Sequence, residues 1–417
     1  MELVNDDMPF LVDTAAMTLA DLGLGIHLII HPVVRVGRDK KGRLTGIYKK
    51  SSNKGTAESV IQFHVDRRTG KEDLAEIESR LVAAFGDVRR AIEDWRPMET
   101  RAFEAEKALT EWAPGVNAEW MNECKEFLQW LLDDHFIFLG VRDYRVSRGK
   151  QAHELKVVPG SGLGILRETD QTLMSRPMTS LSGTVRKQGQ KLPLIITKTN
   201  ARSTVHRAGY LDYIGVLRFD SKGRTIGERR FLGLFTSIAY NLNAMDTPLV
   251  RIRARKTLDS SGLVENSHAW KSMMHILETL PRDELLQANY RELRDIAFGV
   301  LNLQDRKRVR LFIRQEQYGR FYSCLVYIPR EKFNTENREA IQDILWRALK
   351  GQRLDYTVHV SESPLARLRV VVRPRPGVDI DFDVPALEQK IVDAVRSWSD
   401  ELKSTLVQKH GEETGLQ

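Results

Sequence analysis

The chain has little of what builds covalent staples, metal clusters or membrane spans. Only two cysteines occur in 417 residues, Cys124 and Cys324, and no cysteine spacing of metal-site type exists. Each sits in an apolar pattern, Trp120 and Phe127 around the first and Phe321 and Val326 around the second. They therefore read as buried free thiols of a reducing compartment, with cytoplasm the expected location. No apolar run approaches the ~18 residues of a membrane-spanning helix. The opening residues include Glu2, Asp6 and Asp7, which is not the basic start of a secretory signal. No G-x-x-x-x-G-K-[ST] phosphate loop is present. Gly160-Ser161-Gly162-Leu163-Gly164 has its third glycine misplaced for a dinucleotide fingerprint, which also needs a helix where this stretch continues as strand.

What is present is ordinary globular material, 41% hydrophobic and 29% charged, long enough for two to four domains. The net charge of +8 invites an acidic partner, but basic and acidic residues are interleaved. Arg251, Arg253 and Arg255 alternate on one expected strand, and Arg306, Lys307, Arg308 and Arg310 open another. Alternation puts such charges on one face. No aromatic platform accompanies them, so nucleic acid is a disfavoured partner. His27 and His31 lie four apart on an expected strand without a third metal ligand. Asp6 and Asp7 read as helix caps rather than paired catalytic carboxylates. No catalytic, cofactor-binding or metal-binding residue is expected in this chain.

Val4-Asn5-Asp6-Asp7-Met8-Pro9-Phe10-Leu11-Val12-Asp13 reads as the start of a helix, with Leu11, Ala15, Leu19 and Leu22 as its apolar stripe. Strands follow at Ile26–Ile30, 33–36, 44–49 and 59–65, then a strongly amphipathic helix through Leu74, Ile77, Leu81, Phe85, Val88 and Ile92. Helices alternating with antiparallel strands indicate a two-layer α+β sandwich of ferredoxin-like type. One strand is missing from the usual order, so this chain is expected to be a piece of a longer one. After a connection with a short helix come a helix at 120–132 and strands at 136–146, 194–207, 213–219 and 228–240, with a polar loop at 170–190. Helices are expected at 268–280 and 282–298. Val309, Leu311 and Ile313 are expected to point inward and Arg308, Arg310 and Arg314 outward; strands, an Asn334- or Thr335-capped helix ending at Gly351, and two more strands complete a second sandwich. An amphipathic helix from Val384 through Trp398 to Leu406 closes the chain.

The Val4–Asp13 run, the strand Gly227-Glu228-Arg229-Arg230-Phe231-Leu232-Gly233-Leu234-Phe235-Thr236-Ser237 and the strand Arg320-Phe321-Tyr322-Ser323-Cys324-Leu325-Val326-Tyr327-Ile328-Pro329-Arg330 together resemble the N-terminal, non-catalytic half of the large bacterial NAD-dependent glutamate dehydrogenases. The resemblance implies an α+β, multidomain fold: two ferredoxin-like, ACT-like modules flanking a PAS-like curved antiparallel sheet, with connecting helices. The modules then fall at 1–97 (first strand missing), 98–116 (linker), 117–257 (PAS-like sheet), 258–303 (helical connector), 304–376 (second ACT-like module) and 377–417 (exit helix). It implies that the complete enzyme oxidises L-glutamate to 2-oxoglutarate and ammonia with NAD as cofactor, on a C-terminal catalytic half whose residues have no counterpart here. It also implies a homo-oligomer and an amino-acid effector. Candidate effector or interface positions are the turn at Leu22, Gly23, Gly25 and His27, and a sheet edge at Arg310 and Tyr322. The rivals are a purely structural scaffold and a basic nucleic-acid-binding module.

Overall fold

In the computed structural model, residues 1–49, 51–112, 116–148, 153–167, 193–303, 306–375, 378 and 380–396 are described. The expected polar loop at 170–190 and the Trp398–Leu406 end of the closing helix lie outside them. The described residues form two compact units divided after Leu242.

The first unit opens with strand β1 (Glu2–Asp6), helix α1 (Leu11–Asp21), strands β2 (Ile26–Ile30), β3 (Val33–Arg38), β4 (Leu44–Tyr48) and β5 (Thr56–Val65), and helix α2 (Lys71–Glu93). Strand β5 is central. β1 runs antiparallel along one of its edges and β2 and β3 along the other, with the interruption at His31-Pro32; β4 lies outside β3. Ile61 and Phe63 of β5 are buried, and α1 packs against α2.

The expected helix start at Asn5-Asp6-Asp7, and with it the missing first strand, does not hold. Glu2–Asp6 pair with Glu58–Gln62, and the Asp7 N–H continues the ladder to the Ala57 carbonyl at 2.9 Å. Pairing across the sheet overrides the local capping preference. The carboxylates are used elsewhere: Asp6 pairs with Arg89 at 2.9 Å, and Asp7 accepts from the Ser59 hydroxyl at 2.6 Å. The helix begins instead behind Phe10, which sits in the left-handed region (φ 73°) and makes no side-chain cap.

The expected linker at 98–116 is mostly helix. α3 (Trp95–Trp112) follows α2 after Asp94, and its Met98, Ala102, Ala105 and Leu109 are buried at helical spacing. After α4 (Ala118–Trp130) and a π-turn (Leu131–His135) come β6 (Phe136–Arg148), β7 (His153–Val157), β8 (Leu163–Gly164), β9 (Leu194–Arg202), β10 (Tyr210–Phe219) and β11 (Thr225–Phe235). They form an antiparallel sheet in the order β7-β6-β11-β10-β9, with the short β8 also on β6, curled as a half-barrel. β11 stops at Phe235 rather than Tyr240, because the Thr236 side chain caps helix α5 (Ser237–Asn241).

The second unit starts with helices α6 (Val250–Asp259), α7 (His268–Thr279), α8 (Arg282–Gln287) and α9 (Tyr290–Leu301). The alternating arginines 251, 253 and 255 thus lie on a helix, not a strand. Arg253 is turned inward and donates to the Leu285 and Leu286 carbonyls at 3.1 and 3.0 Å. The expected 282–298 helix is broken where Asn289 opens a capping box with Glu292. Then follow β12 (Arg310–Gln315), β13 (Tyr322–Pro329), α10 (Thr335–Ala348), β14 (Gly351–His359), β15 (Leu365–Pro374) and α11 (Val384–Ala394), with sheet order β12-β13-β15-β14. Asn334 caps α10. The chain reverses after that helix at Lys350 (φ 48°) rather than at Gly351.

The interior strands β13 and β15 of this second sheet are covered on both faces, while edge strand β14 is largely exposed. Tyr322, Cys324, Val326 and Ile328 join Ile341 and Leu345 of α10 and Leu387 and Ile391 of α11 in one core; burial pushes the Cys324 thiol far above its ordinary pKa. The alternate residues of β13 face α8. There Glu284, 1% exposed, accepts from Arg314 Nε at 2.9 Å, Arg369 Nε at 3.2 Å and the Ser323 hydroxyl. Asp283 takes Arg369 Nη1 at 3.0 Å. Arg314, expected outward, is therefore buried, because α8 brings a carboxylate to that face.

Burial alone would push the Glu284 carboxyl up, but Arg314 and Arg369 outweigh it and hold it below the usual range. Its contribution to stability is therefore present above the unfolded-state pKa and lost as pH falls through the folded value. Glu284→Ala strands two buried guanidinium groups and is expected to cost about 3–5 kcal/mol in denaturant titrations at neutral pH. The gap between wild type and Glu284→Gln should shrink on acidification; a gap independent of pH would contradict the ion-pair account.

Candidate functional site

Two concave features stand out in the first unit. The first is an open groove of about 1050 Å³ between β1, β5 and α2, lined by apolar Leu3, Phe63, Leu74, Ile77, Leu81 and Phe85, with Arg67, Arg68 and Arg89 also in its wall. It exists because the start of α2 is not covered: Leu74 is exposed although it belongs to the apolar stripe.

The turn expected to carry an effector adjoins this groove without forming its wall. Leu24 and Asp66 line it; Leu22, Gly23, Gly25 and His27 do not. Gly23 takes the left-handed turn (φ 70°). Asp66 accepts from the Gly25 N–H at 2.7 Å and pairs with His27 at 2.9 Å, and these bonds hold its carboxyl below the ordinary range. His31 is separately engaged with the Ser59 hydroxyl at 2.9 Å, so the two histidines serve different partners. Arg310 and Tyr322 are not brought together. Arg310 lies on edge strand β12 opposite Tyr327 and pairs with Glu388 at 3.2 Å. Tyr322 starts the interior strand β13, buried, with its ring against Phe382.

The second feature is a small cavity of about 50 Å³ on one face of the half-barrel, lined among others by Arg142, Tyr144, Leu211, Arg230 and Leu232. Arg142 of β6 and Arg230 of β11 are direct cross-strand partners, 4% and 2% exposed. The Arg230 guanidinium lies 3.9 Å from the Tyr144 ring centroid and 4.8 Å from that of Tyr213. Its Nε donates to Glu228 at 3.1 Å, and Tyr213 donates its hydroxyl to the same Glu228 oxygen. Burial works against the Arg230 charge, but Tyr213, Glu228 and Tyr144 outweigh it and raise its pKa further. Arg142 donates from Nη2 to the Leu166 carbonyl.

The turn bearing that carbonyl explains the glycine-rich stretch. Gly164 is left-handed (φ 61°), and a Cβ there would fall on the Leu139 carbonyl. Asp94 fixes the turn by accepting from the Gly164 N–H at 2.7 Å and from Arg167 at 2.5 and 2.6 Å. These glycines serve close strand packing, not a phosphate.

The architecture defines a class first: a multi-module α+β chain with a ferredoxin-like sandwich at each end, a curled sheet and a helical stretch between. Family models agree. Residues 1–81 match the glutamate dehydrogenase ACT1 domain, 247–306 its helical motif 1 and 310–399 its ACT2 domain. The chain is 36% identical over 417 residues to the NAD-specific glutamate dehydrogenase of Halomonas elongata, covering 99% of this chain and 26% of that protein. It is 34% identical to that of Pseudomonas aeruginosa (100% and 26%) and 28% identical to that of Mycobacterium tuberculosis (96% and 25%). The chain spans about a quarter of the length of the relatives it matches. It belongs to the large NAD-specific glutamate dehydrogenases, as their N-terminal region with the ACT1, helical-motif and ACT2 modules.

Gly164→Ala is expected to destabilise the first unit by about 1–3 kcal/mol, because it forces both a left-handed alanine and a backbone clash. Urea unfolding measures it; a neutral substitution would contradict the close β8–β6 approach.

Proposed function

We propose that this segment is the regulatory and assembly part of an enzyme that oxidises L-glutamate to 2-oxoglutarate and ammonia with NAD, the chemistry residing outside residues 1–417. The observation that carries the reading is the pair of ACT matches in one chain, the first of which borders an open apolar groove. An amino-acid effector is placed in that groove, its side chain against Leu74 and Ile77 and its charged end near the arginines of the wall. Such a ligand regulates only if it binds one arrangement of the subunit better than the other. The curled middle sheet is read as a PAS-like sensor, and cytoplasm as the location.

Assembly as a homo-oligomer, with the segment serving also as scaffold, is supported by a separate observation. Val4, Leu28 and Ile30 are exposed, and their partners Val60, His64 and Gln62 share one face of the first sheet. That is the face opposite buried Ile61 and Phe63, and exposed apolar side chains on one sheet face favour contact with another copy.

Calorimetry of the 417-residue chain against a panel of amino acids is expected to give heat for at least one, lost in Ile77→Arg. No heat for any of them would remove the effector reading and leave the scaffold, which light scattering would report as a fixed oligomer indifferent to ligand. The chain alone is expected to form no NADH from glutamate and NAD; turnover would overturn the placement of the chemistry.

A further inference from the structure

The small cavity of the half-barrel is separate from the groove just described, and its chemistry is different. We infer that the cavity between Arg142 and Arg230 is a binding site for a small carboxylate. Like charges directly opposite on adjacent strands repel, and these two guanidinium groups are opposite, on one face and almost wholly buried. Among the described residues, Nε and Nη1 of Arg142 and Nη2 of Arg230 are buried without a hydrogen-bond partner. Native interiors leave few such donors unmet, and a guanidinium is the most demanding of them.

The groups nearby do not close the account. Glu228 neutralises one positive charge; one of its oxygens is taken by Tyr213 and Arg230, and the other is buried without a partner and reaches neither guanidinium. Asp87 is in the lining, yet it already pairs with Arg90 and accepts from the Thr204 hydroxyl at 2.6 Å. One positive charge is left over in the Arg142, Arg230 and Glu228 cluster, which a single negative charge balances. A carboxylate carries that single charge, whereas a phosphate dianion exceeds it, and arginine forks hold a carboxylate by paired hydrogen bonds. The volume of about 50 Å³ holds roughly four water-sized groups, enough for a carboxylate and a short aliphatic body. Leu211 and Leu232 supply apolar wall for that body, and the Tyr144 ring holds the Arg230 fork in place.

The test is thermal melting and titration calorimetry of the 417-residue chain with acetate, propionate, L-glutamate and inorganic phosphate as probes. The expected result is a melting temperature that rises with the logarithm of the concentration of at least one carboxylate, as mass action requires, and more than with phosphate. Arg142→Met, which also gives up the bond to the Leu166 carbonyl, should abolish the rise. Should that variant fail to fold, Arg142→Lys keeps the charge and loses the fork, and should weaken binding at least tenfold. Stabilisation by phosphate alone, no stabilisation by any carboxylate, or an equal rise in the arginine variants would overturn the assignment. Ile77→Arg, which alters the groove, should leave this response intact, so the two sites fail independently.

Discussion

A buried guanidinium group needs an anion, and both units of this chain are organised around how that need is met. In the second unit α8 brings Asp283 and Glu284 onto the sheet, and Arg314 and Arg369 are satisfied by them. That bridge lets a sheet whose other face packs on α10 and α11 also accept helices on its second face. In the first unit the same pairing begins and stops short. Glu228 meets Arg230, while Arg142 gains only a carbonyl. One sheet is complete by itself; the other is built with room for an anion.

The contrast connects fold to role. A closed charge network fixes a helix on a sheet and contributes rigidity. An unclosed one, in a cavity held by the Asp94–Arg167 clamp and a glycine-permitted turn, is a place where a ligand changes the energy of the fold. The first unit of this segment of a large glutamate dehydrogenase thus carries two chemically distinct concave features: an apolar groove with arginines in its wall, and a small hole lined by buried arginines.

Much of the fold was legible in the sequence because its signals are local. The period of α2, the alternation in β12 to β15 and the Asn334 cap each lie within a few residues. The misread elements are those in which distant residues overrule local chemistry. Asn5-Asp6-Asp7 looks like a cap until Glu58–Gln62 arrive to pair with it. Arg251, Arg253 and Arg255 alternate like a strand, but Val250, Ala254, Thr257 and Leu258 are buried at helical spacing, and the Leu285 and Leu286 carbonyls take the inward Arg253. Arg314 sits where a solvent-facing residue would, and only α8 makes that position interior. The arginine pair was beyond reach for the same reason. Arg230 belongs to a strand whose dense pattern was noticeable, but nothing in the sequence says that its cross-strand neighbour is Arg142. The turn at Leu22 to His27 lies near a groove whose walls come from β1, which reads as a helix start in the sequence, and from α2, whose apolar stripe does not show which of its residues stay uncovered.

The measurement that bears most directly on this account is a crystal structure of the chain grown in a carboxylate-containing solution and refined at a resolution that separates water from a planar anion. A carboxylate bridging the Arg142 and Arg230 guanidinium groups is the predicted result. A cavity filled by water alone, with both arginines turned to protein acceptors, would contradict it.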